Sequence, residues 1–339
     1  MTVRVGVLGA GTVGGALIGR LLNDRDSIRA KSGVDLEVRL VAVRDISKAR
    51  PFDLDPSRIT DDPSSLVTDP SVDVVVEAIG GLDPAGDLVL AALKAGKPVV
   101  TANKELIATR GEEIAEAARR SGVNVMYEAA VGGGIPVIRP LAESLAGEDI
   151  DVITGIVNGT TNYILTAMTE EGRSYSDALA EAQKLGYAEP DPTDDVSGRD
   201  AAFKTAILAG LAFGQRIGPW EVQTEGIEDV TTEDIADADA KGSVIKLIGT
   251  AWQVDGKVVA RVGPQALPRD HPLAGVNGVT NAIFIEGPSV GRLLFTGPGA
   301  GGQPTSSSML GDLIQVASRG RGKRSSNQDA RARRQLLHR

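Results

Sequence analysis

Gly9-Ala-Gly-Thr-Val-Gly14 follows a short, mainly aliphatic run, Val3–Leu8, and leads directly into an amphipathic stretch, Thr12–Leu22. A G-x-G-x-x-G pattern between a strand and a helix is typical of a dinucleotide-binding turn, because its glycines permit a tight turn and a close approach of pyrophosphate to the backbone. The start of the following helix attracts the same anion. The alternative is that the glycines merely turn the chain. The residues we expect at the cofactor are Gly9, Gly11, Thr12, Val13 and Gly14.

Outward from this turn, the first third of the chain alternates short aliphatic runs with amphipathic stretches, which predicts an α/β fold with a doubly wound, parallel sheet of Rossmann type. Runs such as Val72–Ile79 are apolar almost throughout, as expected of strands that helices cover on both faces. After the glycine-rich turn Val131–Pro136 the order changes to several helix signals, followed by strands near Val244–Val254, Val258–Val262 and Asn281–Glu286. The pattern therefore predicts a second, α+β domain.

These patterns give boundaries for the domains. We predict a dinucleotide-binding domain over residues 1–134, a second domain over residues 135–302, and a last helix, 303–318, that returns to the first domain. Residues 319–339 carry eight Lys/Arg and a single acid. Such a tail could bind nucleic acid, but it lacks interleaved aromatic residues, so we expect a solvated, disordered end and no nucleic-acid partner.

The composition excludes several kinds of chemistry. The 339 residues include no cysteine and two histidines, so disulfides and zinc sites made of thiolates and imidazoles are excluded. A hydride-transferring enzyme built from this chain needs another proton carrier. No apolar run reaches the roughly 18 residues of a membrane span, and the N-terminus lacks the basic start of a signal peptide. We expect a cytoplasmic protein without a membrane partner.

The end of the second predicted strand bears on the choice of cofactor. NAD-specific sites usually place an acid there to accept hydrogen bonds from the ribose 2′-hydroxyl, whereas here Val43 is followed by Arg44, then Asp45, with Lys48 nearby. Arg44 could hold a 2′-phosphate, which favours NADP. Asp45 keeps NAD open, and a solvated surface arginine is the third possibility.

The densest group of candidate catalytic residues lies between Gly186 and Lys204. Asp200 and Lys204 are four residues apart on a predicted helix, so they share a face. An exposed salt bridge would explain the pair equally well. The helix continues with apolar residues on nearly all sides, however, which predicts that Lys204 is partly buried, with a lowered pKa suited to proton transfer.

Several runs of the sequence closely resemble homoserine dehydrogenase, over about residues 3–318. The runs that carry the resemblance are Gly9–Gly15, Val74–Gly81, Thr101–Glu105, Tyr127–Pro136, Gly155–Leu165 and Gly186–Lys204. The resemblance implies reversible NAD(P)-dependent oxidation of L-homoserine to L-aspartate 4-semialdehyde, in threonine and methionine biosynthesis, by a homodimer whose second domain binds substrate and forms the dimer contact. A related amino-acid or semialdehyde dehydrogenase and a non-catalytic cofactor-binding sensor are the alternatives.

The resemblance also implies roles for individual residues. Lys204 is similar to the catalytic acid/base, Asp200 to its substrate-orienting partner, and Lys104 to a second active-site lysine that also contacts the cofactor. The helix start at Asn158 could receive the substrate carboxylate through backbone N–H groups. The implied substrate-binding residues are Asn158, Thr160, Glu189, Asp195 and Asp200, and the further implied cofactor-binding residues are Gly186 and Gly301.

The segment Glu128–Ile135 resembles the family's site for a monovalent cation, sodium or potassium. The implied ligands are the Glu128 side chain and the carbonyl oxygens of Val131, Gly133 and Ile135. Oxygen ligands suit a hard cation. A tight turn that only joins two domains is the alternative. Many relatives add a regulatory domain after the last helix, and we expect no threonine control through such a domain here.

Overall fold

The computed structural model of the chain describes residues 2–318, and the predicted basic tail lies outside the described residues. The chain forms two compact units. The first comprises the described residues up to Asn103, Glu112–Tyr127 and the segment from Ser306 onward. The second comprises Lys104–Gly111 and Glu128–Thr305.

The first unit contains a six-stranded parallel sheet in the order β3-β2-β1-β4-β5-β6. Its strands are β1 (Thr2–Leu8), β2 (Asp35–Ala42), β3 (Ile59–Thr60), β4 (Val74–Glu77), β5 (Val99–Thr101) and β6 (Val125–Met126). The predicted Rossmann-type sheet is confirmed. Since β1 lies between β2 and β4, the strand order reverses there, and in such sheets ligands bind at the carboxyl ends of the strands at this reversal.

The helices of this unit bury aliphatic side chains against the sheet. Leu17 and Ile18 of the first helix and Val5 and Val7 of β1 are fully buried. The helices are α1 (Thr12–Asn23), α2 (Arg25–Ser32), α3 (Pro63–Thr68), α4 (Ala85–Lys94), the later part of α5 (Lys104–Ser121) and α12 from residue 306 of its range 302–318, with a 3₁₀ turn at Pro56–Arg58. The strands of the parallel sheet are thus buried under helices, as their aliphatic sequences predict.

The second unit is built on a six-stranded mixed sheet in the order β12-β11-β7-β9-β10-β8, in which only the pairing of β8 with β10 is parallel. Its strands are β7 (Val152–Ile156), β8 (Gln223–Thr224), β9 (Ser243–Val254), β10 (Lys257–Pro268), β11 (Thr280–Gly287) and β12 (Gly291–Pro298). The predicted α+β character of the second domain is confirmed, although the sequence patterns did not predict β7, β8 or β12.

Helices of the second unit carry most of its buried polar residues. They are α6 (Ala129–Gly132), α7 (Gly159–Glu171), α8 (Tyr175–Leu185), α9 (Thr193–Val196), α10 (Arg199–Phe213) and α11 (Thr232–Ala240), with short turns at Pro140–Ser144 and Pro219–Glu221. The acidic helix α11 was not predicted, because only Ile235 and Ala238 on it are buried and its apolar face is weak.

Helix α5 begins at Lys104 and continues through Gly111 to Ser121. A single glycine inside a helix costs only about 1 kcal/mol relative to alanine, so Gly111 does not end it. Lys104 is therefore the first residue of a helix. No helix within residues 2–318 is long and apolar enough to cross a membrane.

Candidate functional site

The glycine-rich turn of the first unit has the shape that a pyrophosphate requires. A Cβ on Gly14 would lie 2.1 Å from the Gly9 carbonyl oxygen, so only glycine fits there. A Cβ on Gly11 would meet nothing within 4 Å, which leaves open space beside the backbone at the start of α1. Gly11 is also the N-cap of α1, and no side chain caps this helix. The helix start thus has N–H groups and room for an anion, and the turn fits a dinucleotide.

Arg44 and Asp45 follow β2 and are both exposed. The Asp45 carboxylate accepts hydrogen bonds from the backbone N–H of Ser47 at 2.9 Å and from its hydroxyl at 2.6 Å. These bonds lower the pKa of Asp45, the hydroxyl contributing most. Within the described residues Arg44 makes no hydrogen bond or ion pair. The aspartate is therefore occupied locally, whereas the arginine is available to a phosphate.

In the second unit, the side chains of two lysines meet at one buried carboxylate. Asp200, which is 4% exposed, lies 2.6 Å from Lys104 Nζ through Oδ1 and 2.8 Å from Lys204 Nζ through Oδ2. Lys204 is 7% exposed and also donates to the backbone carbonyl of Val157 at 2.7 Å. The i,i+4 pair is thus buried, and the exposed salt bridge considered from the sequence is not what forms.

The electrostatics of this cluster follow from burial and pairing. Burial lowers the pKa of Lys204, Asp200 counteracts that effect, and the positive charge of Lys104 adds to the lowering. Burial opposes ionisation of Asp200 as well, but the two ammonium groups outweigh it and hold the pKa of this carboxyl below its usual range. For Lys104 the charge of Asp200 outweighs partial burial and raises the pKa. The cluster therefore combines a fixed carboxylate, a firmly protonated lysine and a lysine that gives up its proton more easily.

Asn158 joins a second carboxylate to the cluster. Its Nδ2 donates to Asp195 Oδ1 at 2.7 Å and to Asp200 Oδ2 at 2.9 Å. Its Oδ1 accepts the backbone N–H of Thr161 and so caps α7. Burial raises the pKa of Asp195, and the nearby charge of Asp200 acts in the same direction. The Asn158 side chain therefore fixes the positions of Asp195 and Asp200 relative to the start of α7.

Of the other predicted substrate-binding residues, Thr160 lies in the first turn of α7 and Glu189 lies on the loop that follows α8. Thr160 is 8% exposed and donates its hydroxyl to the carbonyl oxygen of Tyr187 at 2.7 Å, which ties this loop to the start of α7. Glu189 is exposed on the loop, and its carboxylate makes no hydrogen bond or ion pair within the described residues. Gly186 ends α8 with a φ of 76°, and Gly301, with a φ of 110°, precedes α12. Glu189, Gly186 and Gly301 are therefore outside the hydrogen-bonded cluster.

The predicted cation segment forms a buried turn. Glu128 is 2% exposed, and its carboxylate accepts the backbone N–H groups of Val137 at 2.6 Å, Ile138 at 2.7 Å and Arg139 at 3.0 Å. Gly133 has a φ of 58°, and a Cβ there would lie 2.2 Å from the Gly299 carbonyl oxygen. The carboxylate thus already organises the chain that follows, and Val131 and Ile135 are also buried.

Some contacts of the cluster were not predicted. The Val157 carbonyl was missed because a backbone oxygen leaves no trace in the sequence. The side-chain role of Asn158 was also missed, since the sequence only indicated a helix start there. An Asn immediately before a predicted helix is a signal for a capping side chain and could have identified half of this role.

Residues 136–314 match the family model for homoserine dehydrogenase, and residues 9–128 match the model for the homoserine dehydrogenase NAD-binding domain. A homoserine dehydrogenase of Synechocystis is 48% identical over 93% of this chain and 73% of its own length. One of Corynebacterium glutamicum is also 48% identical, over 93% and 72%.

Solved structures give the same result. The crystal structure of a homoserine dehydrogenase from Thiobacillus denitrificans has a TM-score of 0.88 and 43% identity, covering 94% of this chain and 73% of that one. A hyperthermophilic archaeal homoserine dehydrogenase in complex with NADPH has a TM-score of 0.78 and 32% identity, covering 94% and 98%. That relative binds NADPH through a chain of the same fold.

Proposed function

Because this chain belongs to the homoserine dehydrogenase family, we propose that it interconverts L-homoserine and L-aspartate 4-semialdehyde, with NADP(H) as the preferred cofactor and Lys204 as the acid/base. It is an oxidoreductase with a nicotinamide-dinucleotide domain. The observation that carries the assignment of roles is the buried contact of Lys204 with Asp200, 2.8 Å long, to which Lys104 adds a second positive charge.

Lys204 has the hydrogen-bonding capacity that proton transfer requires. An ammonium group has three hydrogens, and two of them are directed to the Val157 carbonyl and to Asp200. One position on Nζ therefore remains for a substrate oxygen. During oxidation the neutral amine accepts the proton of the substrate hydroxyl, and during reduction the ammonium returns it. The bound nicotinamide supplies the hydride chemistry.

The remaining polar groups suit the two ends of an amino-acid substrate. Asp195 and Glu189 are carboxylates that can receive an ammonium group, and Glu189 is free to do so within the described residues. The first turn of α7, at Gly159 and Thr160, can receive a carboxylate through backbone N–H groups. The N–H of Thr161 is already occupied by Asn158, so we place the substrate carboxylate at the two preceding N–H groups.

The preference for NADP rests on Arg44. A charge-assisted hydrogen bond to a 2′-phosphate contributes about 1.5–3 kcal/mol, and the exposed Arg44 side chain has no competing partner within the described residues. The Arg44→Ala variant should therefore weaken NADPH binding by at least about tenfold and NADH binding much less. Equal losses for both cofactors would contradict the assignment.

The function itself is tested by the rate of homoserine oxidation with NADP and NAD, and by reduction of aspartate semialdehyde with NADPH. We expect turnover with both substrates and a higher kcat/KM with NADP. NADPH binding without turnover of either substrate would favour a cofactor-binding sensor. Turnover only with another semialdehyde or amino acid would favour a related dehydrogenase of the same architecture.

We also propose that the turn at Glu128 binds sodium or potassium, that the enzyme is a homodimer and that it is cytoplasmic. The first proposal is supported by the burial of the Glu128 carboxylate, whose oxygens are ligands that suit a hard cation. The second is supported by β12, which is the edge strand of its sheet and is largely exposed along its length. Replacing both cations by tetramethylammonium should lower the activity, and analytical ultracentrifugation should give twice the monomer mass. Unchanged activity would contradict the cation site, and a monomer mass would contradict the homodimer. Cell fractionation tests the cytoplasmic location.

A further inference from the structure

Glu77, the last residue of β4, is a buried acid that the proposed chemistry does not use. Its exposed fraction is 0%, and among residues 2–318 no lysine, arginine or histidine side chain forms an ion pair with it. Burying a carboxylate is costly unless hydrogen bonds replace the lost water. Neighbouring residues must therefore supply hydrogen-bond donors to the Glu77 carboxylate.

The donors to Glu77 come from the ends of two neighbouring strands. Oε1 accepts the backbone N–H groups of Ile79 at 2.8 Å and Gly80 at 2.9 Å, both in the loop after β4. Oε2 accepts the hydroxyl of Thr101, the last residue of β5, at 2.5 Å. A single carboxylate thus joins the carboxyl ends of β4 and β5.

Asn103 closes this arrangement into a ring. Its backbone N–H donates to Thr101 Oγ1 at 2.9 Å, and its side-chain Nδ2 donates to the carbonyl oxygen of Gly81 at 2.6 Å. Thr101 is fully buried and Asn103 is 6% exposed. We call Glu77, Thr101 and Asn103, with the loop 78–81 that they hold, the Glu77 ring.

The loop of the Glu77 ring lies against the glycine-rich turn. A Cβ on Gly9 would be 2.7 Å from the Ala78 carbonyl oxygen, so the loop is in close contact with the first glycine of the G-x-G-x-x-G pattern. Beyond Ala78 the loop is open: Ile79 is 41% exposed, and a Cβ on Gly80 or Gly81 would meet nothing within 4 Å. The loop therefore borders the point where the strand order reverses and where a dinucleotide binds in such sheets.

We propose that Glu77 is a positioning residue for the dinucleotide: its carboxylate holds the loop 78–81 and the segment that leads to Lys104 in the arrangement that accepts the cofactor. The proposal rests on the nicotinamide-dinucleotide binding included in the proposed function. Without the carboxylate, the N–H groups of Ile79 and Gly80 have no buried acceptor, and the loop samples other conformations before the cofactor arrives. Cofactor binding must then supply the free energy that orders the loop, which lowers the affinity for the cofactor.

The first test measures NADPH affinity by fluorescence titration, without turnover. Glu77→Gln keeps the size of the side chain but replaces the acceptor of the Thr101 hydroxyl by a donor, and we expect the Kd for NADPH to rise at least tenfold. Val75→Ala is the matched control, because Val75 is a fully buried residue of the same strand outside the ring. It should lower the melting temperature but change the Kd less than twofold. A Glu77→Gln protein with a Kd within twofold of wild type overturns the proposal.

A second pair of variants keeps the test decisive if Glu77→Gln does not fold. Thr101→Ser retains the hydroxyl and should bind NADPH like the wild type, whereas Thr101→Val loses it and should bind at least fivefold more weakly. Equal affinities for the two overturn the proposal.

Hydrogen exchange of the cofactor-free protein gives a readout independent of affinity. The amides of Ile79 and Gly80 should exchange at least tenfold faster in Glu77→Met, which removes both carboxylate oxygens, and unchanged in Val75→Ala; unchanged exchange in both overturns the proposal. A failure of the proposed function would look different, since the wild type would then bind NADPH without oxidising homoserine while the affinity differences persisted.

Discussion

The second unit buries two lysines, Lys204 and Lys246, and only one of them has the surroundings of a catalytic group. Lys204 donates to one carbonyl and one carboxylate, with a second lysine at that carboxylate. Lys246 lies near the start of β9 and is 2% exposed. It faces four neutral oxygens: those of Val276 and Asn277 at 2.8 Å, Asn162 at 3.2 Å and Thr166 at 3.4 Å.

The difference shows why burial alone does not identify an acid/base. Burial lowers the pKa of both lysines, that of Lys246 to about 8. Yet three hydrogens on Lys246 are shared among four acceptors, so no position on Nζ remains for a substrate. Lys246 instead joins α7 to the chain before β11, and we interpret it as a structural lysine. Spare hydrogen-bonding capacity, rather than a shifted pKa, separates the two sites.

The largest expected effect comes from replacing each of the two buried lysines in turn. Lys204→Ala should lower kcat by about 10² to 10⁴ in both directions, the usual contribution of a positioned acid/base, while the Kd for NADPH stays within threefold. Lys246→Met should leave kcat within threefold. Steady-state rates at saturating substrate and cofactor measure both. If Lys204→Ala kept more than a tenth of the wild-type kcat, the acid/base would be Lys104 or a water, and the comparison would fail.

Removing the carboxylate that distinguishes the two lysines should have the next largest effect. Asp200→Asn takes away the charge that keeps the pKa of Lys204 from falling further, and we expect kcat/KM for homoserine oxidation to drop on the order of a hundredfold. Because oxidation needs the neutral amine, the acidic limb of the pH profile should move to lower pH. An unshifted limb would show that Asp200 does not act on the proton-transferring group.

The sequence could predict the pair at Asp200 because its two members are on one helix, four residues apart. It could also predict the strand-turn-helix around Gly9, where the spacing of glycines is itself the signal. It could not predict the partners of Lys246, since the acceptors on Asn162 and Asn277 are 84 and 31 positions away. The sequence shows only that a charged residue, Lys246, interrupts the aliphatic run of β9. Glu77 is a similar charged residue at the end of the aliphatic strand β4.

Lys246 should also give the folded protein a pH dependence that Lys204 does not explain. Its pKa is about 8 in the folded state against an ordinary 10.5, so between these values the folded state binds fewer protons than the unfolded state. The free energy of unfolding should therefore rise with pH, by about 2 kcal/mol between pH 8 and pH 10. Well below pH 8 both states are protonated and the contribution is flat.

Urea denaturation at pH 8, 9 and 10 measures this rise, and Lys246→Met is the control that should remove it. The difference in slope between wild type and variant isolates Lys246 from other groups that titrate in the same range. A variant whose stability still rises as steeply as that of the wild type would contradict the low pKa of Lys246.

The smallest effect is expected at an exposed cation next to the cluster. Arg199 begins α10, immediately before Asp200, and its guanidinium lies 3.4 Å from Asp194 and 3.8 Å from Glu105, the residue after Lys104. The side chain is 60% exposed, so water and salt screen both contacts. Exposed ion pairs stabilise proteins by about 1 kcal/mol or less, and Arg199→Gln should therefore change the free energy of unfolding by less than that and kcat by less than twofold.

Steady-state rates in 0.05 M and 0.5 M salt provide the check, because a wild-type contribution from Arg199 would shrink as salt rises. A tenfold loss of kcat in Arg199→Gln would mean that this arginine fixes the position of Lys104 through Glu105, and that charges outside the buried cluster take part in arranging it.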